Sequence, residues 1–166
     1  MSDEFGGGRF NETTKRIYQD GKVGGSAGWT VRAAANTWMS TVAASQSGAK
    51  LVIPLTGLEI GDKLVGGHLV GQIDSAGNQV DITHEIYEFD AAAAGSAASA
   101  KSGTSKTLSV TADTELKESN TFKGYADANQ VVVQDGKTYF ALLTATTLGS
   151  TDIELLAFVL HLKKRG

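Results

Sequence analysis

Three histidines, His68, His84 and His161, are the side chains best suited to metal or acid–base chemistry in this sequence. A zinc enzyme needs two or three such ligands that converge on one point. In the strand pairing predicted below, His68 and His84 point to opposite faces of one hairpin. We expect His68 to face Glu85 as a surface pair and His84 to lie among apolar side chains in the core. The sequence therefore predicts no metal site and no cofactor.

Carboxylates are the next candidates, because a glycosidase needs two of them roughly 5–10 Å apart in a cleft. Those near predicted strands are Asp81, Glu85, Glu88, Asp113 and Glu115. Alternating carboxylates are typical of the solvent-facing side of a strand. The sequence has no GxSxG elbow, no cysteine, and no GK[ST] after the glycines of "FGGGR". These absences predict a protein that is not an enzyme.

Composition narrows the function classes further. The 166 residues suffice for one domain with its own core. A net charge of -3 offers no basic excess for a phosphate backbone, so we expect no nucleic-acid partner. The longest apolar run, 153–162, is far shorter than the roughly 20 residues that a membrane helix needs. No secretion signal is visible, so we expect synthesis in the cytoplasm and no membrane partner.

From residue 29 onward, short alternating or apolar segments are separated by turn signals. Their spacing predicts an all-β fold, a single jelly-roll-like β-sandwich of about eight strands over 29–166. The small-residue segment 91–106 is expected to be an exposed loop. Trp29 and Trp38 are expected to pack at the base of the domain.

The segments "KLVGGHLVGQID" and "NQVDITHEIYEFD" give the clearest strand pattern. They are joined by "SAGN", a turn signal that predicts a β-hairpin. Matching their apolar faces pairs Ile73 with Val80 and Leu69 with His84. Apolar side chains also occur on the other face, which indicates that the hairpin is partly covered on both sides.

Residues 1–28 contain seven glycines and few large apolar side chains. Burying so little apolar area does not offset the entropy of ordering the backbone. We therefore predict an extended N-terminal arm over 1–28 that becomes ordered against another protein; the alternative is a terminus without a role. The residues predicted to contact that other protein or a neighbouring subunit are Arg9, Phe10, Lys15, Arg16, Ile17 and Tyr18.

The last apolar run is apolar on both faces, although one face of a sandwich strand is usually wet. Two interpretations remain open. The strand is either covered by its own chain or faces a neighbouring subunit. The second interpretation predicts self-association through Ile153, Leu155, Phe158 and Leu160.

The order of segments over about 50–162 resembles the β-sandwich modules of tailed-bacteriophage structural proteins. These include head decoration (cement) proteins and head or tail fibre domains. The similarity lies in "LVIPL", the "VxG" step, "YFALLTATT" and "TDIELLAFV". The matching positions are Ile53, Pro54, Leu55, Val70, Gly71, Tyr139, Thr144, Ala145, Thr146, Asp152, Ile153, Leu155 and Val159.

This resemblance implies a virion protein that decorates and stabilises the capsid exterior. Its partners would be the major capsid protein and further copies of itself, as a homotrimer. Docking would use the N-terminal arm. The alternative is a fibre-tip or carbohydrate-binding module with a host-surface glycan as ligand. Exposed aromatic side chains on one sandwich face, such as Tyr87 or Tyr125, would support that alternative.

Overall fold

The computed structural model describes residues 13–19, 23–24, 29–31, 40–42, 45–75, 77–92, 97–119, 121, 124–149 and 152–164. These residues form two antiparallel sheets packed face to face, so the predicted β-sandwich is confirmed. The seven-strand sheet contains β1 (Thr13–Gln19), β3 (Trp29–Val31), β4 (Ser40–Val42), β6 (Lys63–Asp74), β10 (Thr114–Leu116), β11 (Val131–Val132) and β13 (Asp152–Lys164). The six-strand sheet contains β2 (Val23–Gly24), β5 (Ala49–Pro54), β7 (Val80–Asp90), β8 (Ser99–Ala100), β9 (Lys106–Val110) and β12 (Lys137–Thr147).

Two long strands form the centre of each sheet. In the seven-strand sheet, β6 pairs with β13. On the side away from β6, the first part of β13 pairs with β4 and its last part pairs with β1. On the side away from β13, β6 pairs with β10 and β11. In the six-strand sheet, β12 lies between β5 and β7, and β7 also pairs with β8 and β9. In the described part of the chain, no helix is long and apolar enough to span a membrane.

The core lies between the sheets and follows the alternation of the long strands. On β12, Tyr139, Ala141, Leu143 and Ala145 point inward and are buried. Gly67 on the opposite sheet leaves room for the ring of the buried Phe158, because a Cβ at Gly67 would lie 2.3 Å from Phe158 Cζ. Large rings in one sheet are thus matched by small residues beside them, as dense packing requires.

The predicted hairpin between β6 and β7 is wrong, because these strands lie in different sheets. Ile73 pairs with Ile153 of β13 rather than with Val80, and Leu69 does not pair with His84. The intervening turn carries the chain from one sheet to the other. Alternation of apolar and polar residues shows which side chains point inward. It is the same for two paired strands and for two strands that face one core from opposite sheets, so it could not exclude the second case.

The prediction of a separate arm over 1–28 does not hold for the described part of that segment. Strand β1 forms an edge of the seven-strand sheet, in register with the end of β13, and β2 pairs with β5. Gln19, 2% exposed, accepts hydrogen bonds from Thr56 N and Oγ1 and donates one to Thr56 O, at 3.0–3.1 Å. Arg9 and Phe10 lie outside the described residues.

The strand assigned to self-association is a core strand of the same chain. Its four named side chains, Ile153, Leu155, Phe158 and Leu160, are completely buried between the sheets. The outward side chains Ala157 and Val159 are buried as well. This favours the interpretation that the strand is covered by its own chain, and those four side chains do not form an outer surface.

Candidate functional site

The outward face of the six-strand sheet carries a cluster of aromatic side chains. Pro54, Phe140 and Tyr87 lie directly across from one another on β5, β12 and β7. The rings of Tyr87 and Phe140 are stacked, with centroids 5.3 Å apart and planes 13° from parallel. Phe89, 37% exposed, follows on the same face, opposite Thr138. Together Pro54, Tyr87, Phe89 and Phe140 form what we call the aromatic platform.

Tyr87 links the aromatic platform to a carboxylate. Glu85 lies two residues earlier on the same face of β7, and its carboxylate acts electrostatically on the phenol. Partial burial and then the negative charge of Glu85 raise the pKa of Tyr87 above its usual value. The phenol is therefore neutral at physiological pH, so the face presents a hydroxyl donor near an acceptor carboxylate.

Beyond the platform the same face becomes polar. The next positions along the strands alternate hydroxyl and charged side chains with Val52 and Leu142. The Oγ1 atoms of Thr83 and Thr107 lie 2.8 Å apart, and Asp81 accepts hydrogen bonds from Gln79 at 3.0 and 3.1 Å. The polar side chains of this face are Lys50, Asp81, Thr83, Glu85, Thr107, Ser109, Thr144 and Thr146.

An open groove continues the face at the end that carries Phe89. It has a volume of about 310 Å³ and lies between the loop 55–60 and the turn 133–138. Thr138 belongs to both the groove and the face. Ile60, 67% exposed, forms part of its rim. The aromatic platform is therefore flanked by polar side chains on one side and by a groove on the other.

The candidate carboxylates do not form a catalytic pair on this face. Asp81 and Glu85 are four residues apart on one strand, about 14 Å at the usual rise per residue, which exceeds the separation in glycosidases. Glu88 is paired with Lys101, and Glu115 with Lys117. Asp113 accepts a hydrogen bond from Ser75 N. The face therefore combines hydrogen-bonding side chains with an apolar platform, a combination that is common in ligand-binding sites.

His84 lies in the core, as predicted. It is fully buried, and its Nε2 lies 2.8 Å from the hydroxyl of Tyr125. Burial, with a smaller contribution from the charge of Lys106, lowers the pKa of His84 to about 3. Tyr125 is only 5% exposed, so its prediction as an exposed ligand-binding aromatic is wrong.

His68 does not face Glu85. Its Nδ1 lies 2.8 Å from Nε2 of His161, on the outer face of the seven-strand sheet. The predicted pairing of His68 with Glu85 is wrong, because it depended on a hairpin between β6 and β7. No group of three metal-ligating side chains comes together within the described ranges.

The remaining predicted residues lie away from the aromatic platform. On β1, Lys15, Arg16 and Tyr18 are exposed, while Ile17 packs against the core. Trp29, expected at the base of the domain, is buried in the core cluster and donates a hydrogen bond from Nε1 to Ala49 O at 3.1 Å. Trp38 lies outside the described residues.

The sequence reasoning identified Tyr87 but missed Phe140 and the role of Pro54. A signal was present: "HEIYEF" places Tyr87 and Phe89 at alternate positions, on the face opposite the buried Ile86. Phe140 was obscured because its strand also contains the inward-facing Tyr139. Only the pairing of β7 with β12 brings Phe140 beside Tyr87.

Comparison with known proteins gives structural likeness without a family. No family model and no curated protein matches the chain. TmCBM61, solved with β-1,4-galactotriose, is 11% identical with a TM-score of 0.36 and covers 92% of this chain and 88% of its own. The enzymatically active domain of tailspike protein 4 from bacteriophage CBA120 is 12% identical with a TM-score of 0.37, covering 89% of this chain and 19% of its own.

A third solved structure is the family 11 carbohydrate-binding module from Clostridium thermocellum, in complex with a β-1,3-1,4-mixed-linked tetrasaccharide. It is 16% identical with a TM-score of 0.30, and the match covers 96% of this chain and 93% of the module. All three neighbours are β-rich. At TM-scores below 0.5 the likeness supports no statement about the ligand of this chain.

Proposed function

We propose that this protein is a non-catalytic glycan-binding β-sandwich module. The observation that carries the proposal is the aromatic platform on the outer face of the six-strand sheet, with the stacked Tyr87 and Phe140 at its centre. The ligand lies across this platform and extends over the neighbouring polar positions.

The chemistry of sugars fits such a surface. A pyranose ring has an apolar face of C–H groups, which packs on an aromatic ring, and a rim of hydroxyls that need hydrogen-bond partners. The platform supplies the rings, and Glu85, Thr83 and Thr144 supply acceptors and hydroxyls on the same face. Binding sites commonly combine a mainly apolar surface with a few placed polar groups.

The position of the aromatic rings also supports the proposal. The outer face of a sandwich sheet is usually polar, and a cluster of partly exposed apolar side chains there is typical of an interaction site. Five apolar side chains of this face are at least partly exposed, and none of them belongs to the buried core cluster. They are Pro54, Tyr87, Phe89, Phe140 and Leu142.

Capsid decoration, with a location on the virion exterior and a homotrimeric state, stays a prediction from the resemblance. The residues on which its docking mechanism rested belong to the fold of this chain: β1 is a strand of the sandwich, and Ile153, Leu155, Phe158 and Leu160 are buried in the core. A glycan-binding module is compatible with a role at a fibre tip, which was the alternative interpretation of the same resemblance.

The test is a glycan-array screen followed by calorimetry with the best-bound glycan. Tyr87→Ala and Phe140→Ala should each weaken binding about five- to thirtyfold, because each removes a stacking surface worth about 1–2 kcal/mol. Tyr87→Phe keeps the ring and should lose severalfold at most. Tyr18→Ala is the matched control, since Tyr18 is 66% exposed but lies on the other sheet.

Circular dichroism melts show whether each variant is folded before its affinity is compared. Absence of any bound glycan at millimolar concentration would overturn the proposal. The same conclusion would follow if Tyr18→Ala reduced binding as much as Tyr87→Ala, or if the folded Tyr87→Ala and Phe140→Ala variants bound as the wild type does.

A further inference from the structure

A cluster of four ionisable side chains lies on the outer face of the seven-strand sheet, opposite the aromatic platform. His68 on β6 and His161 on β13 approach to 2.8 Å between Nδ1 and Nε2. Their rings meet edge to face, with centroids 5.0 Å apart. Arg16 on β1 lies directly across from His161 and forms an ion pair with Glu118, which follows β10.

The ion pair connects the two sides of the sheet. Strand β1 pairs with β13, and β10 pairs with β6, so β13 and β6 lie between Arg16 and Glu118. The two histidines belong to these central strands. The contact between Arg16 and Glu118 therefore reaches across the histidine pair and ties β1 to the far edge of the sheet.

The hydrogen bond between the two histidines depends on how many protons their imidazole rings carry. When one of the two facing ring nitrogens carries a proton and the other does not, the N–H of the first donates to the lone pair of the second. When both imidazoles are protonated, two N–H groups face each other and that hydrogen bond is lost. Two added cations then lie beside Arg16, with Glu118 as the carboxylate that acts on both rings.

Among the described residues, further charged side chains lie along this face on both sides of the histidine pair. Lys163 and Lys63 lie opposite each other on β13 and β6, two positions beyond His161, while Glu115 and Glu154 lie on either side of Gln72, four positions beyond His68. Lys164 is paired with Asp62 and Glu59. Burial lowers the pKa of both histidines, so acid favours a state in which their rings reach water.

We propose that the histidine pair beneath the Arg16–Glu118 ion pair is an acid-sensitive latch for strand β1. At neutral pH the latch keeps β1 on the edge of β13. At mildly acidic pH both imidazoles become protonated, the ion pair is disrupted by repulsion, and β1 detaches. Detachment leaves the last part of β13 as an open edge that can accept another strand.

Hydrogen exchange of the full chain, followed by NMR at pH 7.5 and pH 5.0, tests the latch. Rates are corrected for the intrinsic pH dependence of exchange. We expect the protection of β1 amides to fall about tenfold or more relative to β12 amides, which report global opening. The variant His68→Asn/His161→Gln keeps a polar atom near each contact nitrogen but does not titrate, so its β1 protection should not change with pH.

That variant retains His84, so the acid sensitivity of the core is present in both proteins. If the double variant does not fold, His161→Gln alone serves, because a pair with one titratable ring cannot become doubly charged. The proposal is overturned if β1 and β12 lose protection in parallel in the wild type. It is also overturned if the folded variant still releases β1 at pH 5.0.

Discussion

The buried His84 predicts how the stability of this protein depends on pH. It is fully buried against Tyr125, and burial lowers its pKa to about 3, whereas an unfolded histidine has a pKa of 6.5. Between these values the unfolded chain binds a proton that the folded chain does not. Stability is therefore complete above about pH 6.5 and decreases as the pH falls toward 3.

The size of the effect follows from the two pKa values. At pH 5.0 the unfolded histidine is almost fully protonated and the folded one is neutral. Each pH unit below 6.5 lowers the free energy of unfolding by about 1.4 kcal/mol, so His84 accounts for a loss of about 2 kcal/mol at pH 5.0. For a domain of this size the melting temperature falls by roughly 4–8 °C.

Urea denaturation at pH 7.5 and pH 5.0 measures this loss. Most carboxylates remain ionised over that interval, so histidines dominate it. His84→Gln keeps a donor and acceptor near Tyr125 but does not titrate. Its stability at pH 7.5 should be lower, and its loss on going to pH 5.0 should be smaller than that of the wild type by about 2 kcal/mol. An equal loss in the two proteins would refute the assignment of the pH dependence to His84.

Three further substitutions test the packing of the sandwich by urea denaturation at pH 7.5. Gly67→Ala should cost about 1–3 kcal/mol, because its Cβ meets the ring of the buried Phe158; a change below 0.5 kcal/mol would contradict that contact. Gln19→Ala should cost about 1–3 kcal/mol, since it removes the hydrogen bonds to Thr56 that hold β1, and unchanged stability would show that β1 is held otherwise. Tyr139→Phe should cost about 1 kcal/mol through two lost backbone hydrogen bonds, and a neutral effect would contradict them.

The side-chain alternation in the sequence was sufficient to predict the fold class and much of the core. Val80, Ile82, His84 and Ile86 all point inward, as their period of two indicated. These properties depend on residues close together in the chain, and local patterns record them well.

Strand pairing could not be predicted in the same way. Among the described strands the chain changes sheet eight times, including after β6 and after β12, and a turn signal such as "SAGN" does not distinguish a hairpin from a crossing. Strand β1 was missed because its apolar content is low. It is held by the buried amide of Gln19 and by Ile17, which packs against the core.

In the candidate site, too, local alternation could be seen in the sequence, whereas strand pairing could not. Tyr87 and Phe89 could be identified from their alternation, since aromatic side chains on the wet face of a strand are a local signal. Phe140 and Pro54 join them only through the pairing of β12 with β7 and β5, which links residues far apart in the chain. A surface assembled from three strands needs the sheet order before it can be recognised.

An NMR titration with the best-bound glycan tests the central claim most directly. We predict saturable chemical-shift changes confined to the outer face of the six-strand sheet, largest at Tyr87 and Phe140 and extending toward Glu85 and Thr83. Changes centred on the seven-strand sheet, around residues 16–18 and 157–161, would contradict the assignment of the site. Absence of any saturable change would contradict glycan binding itself.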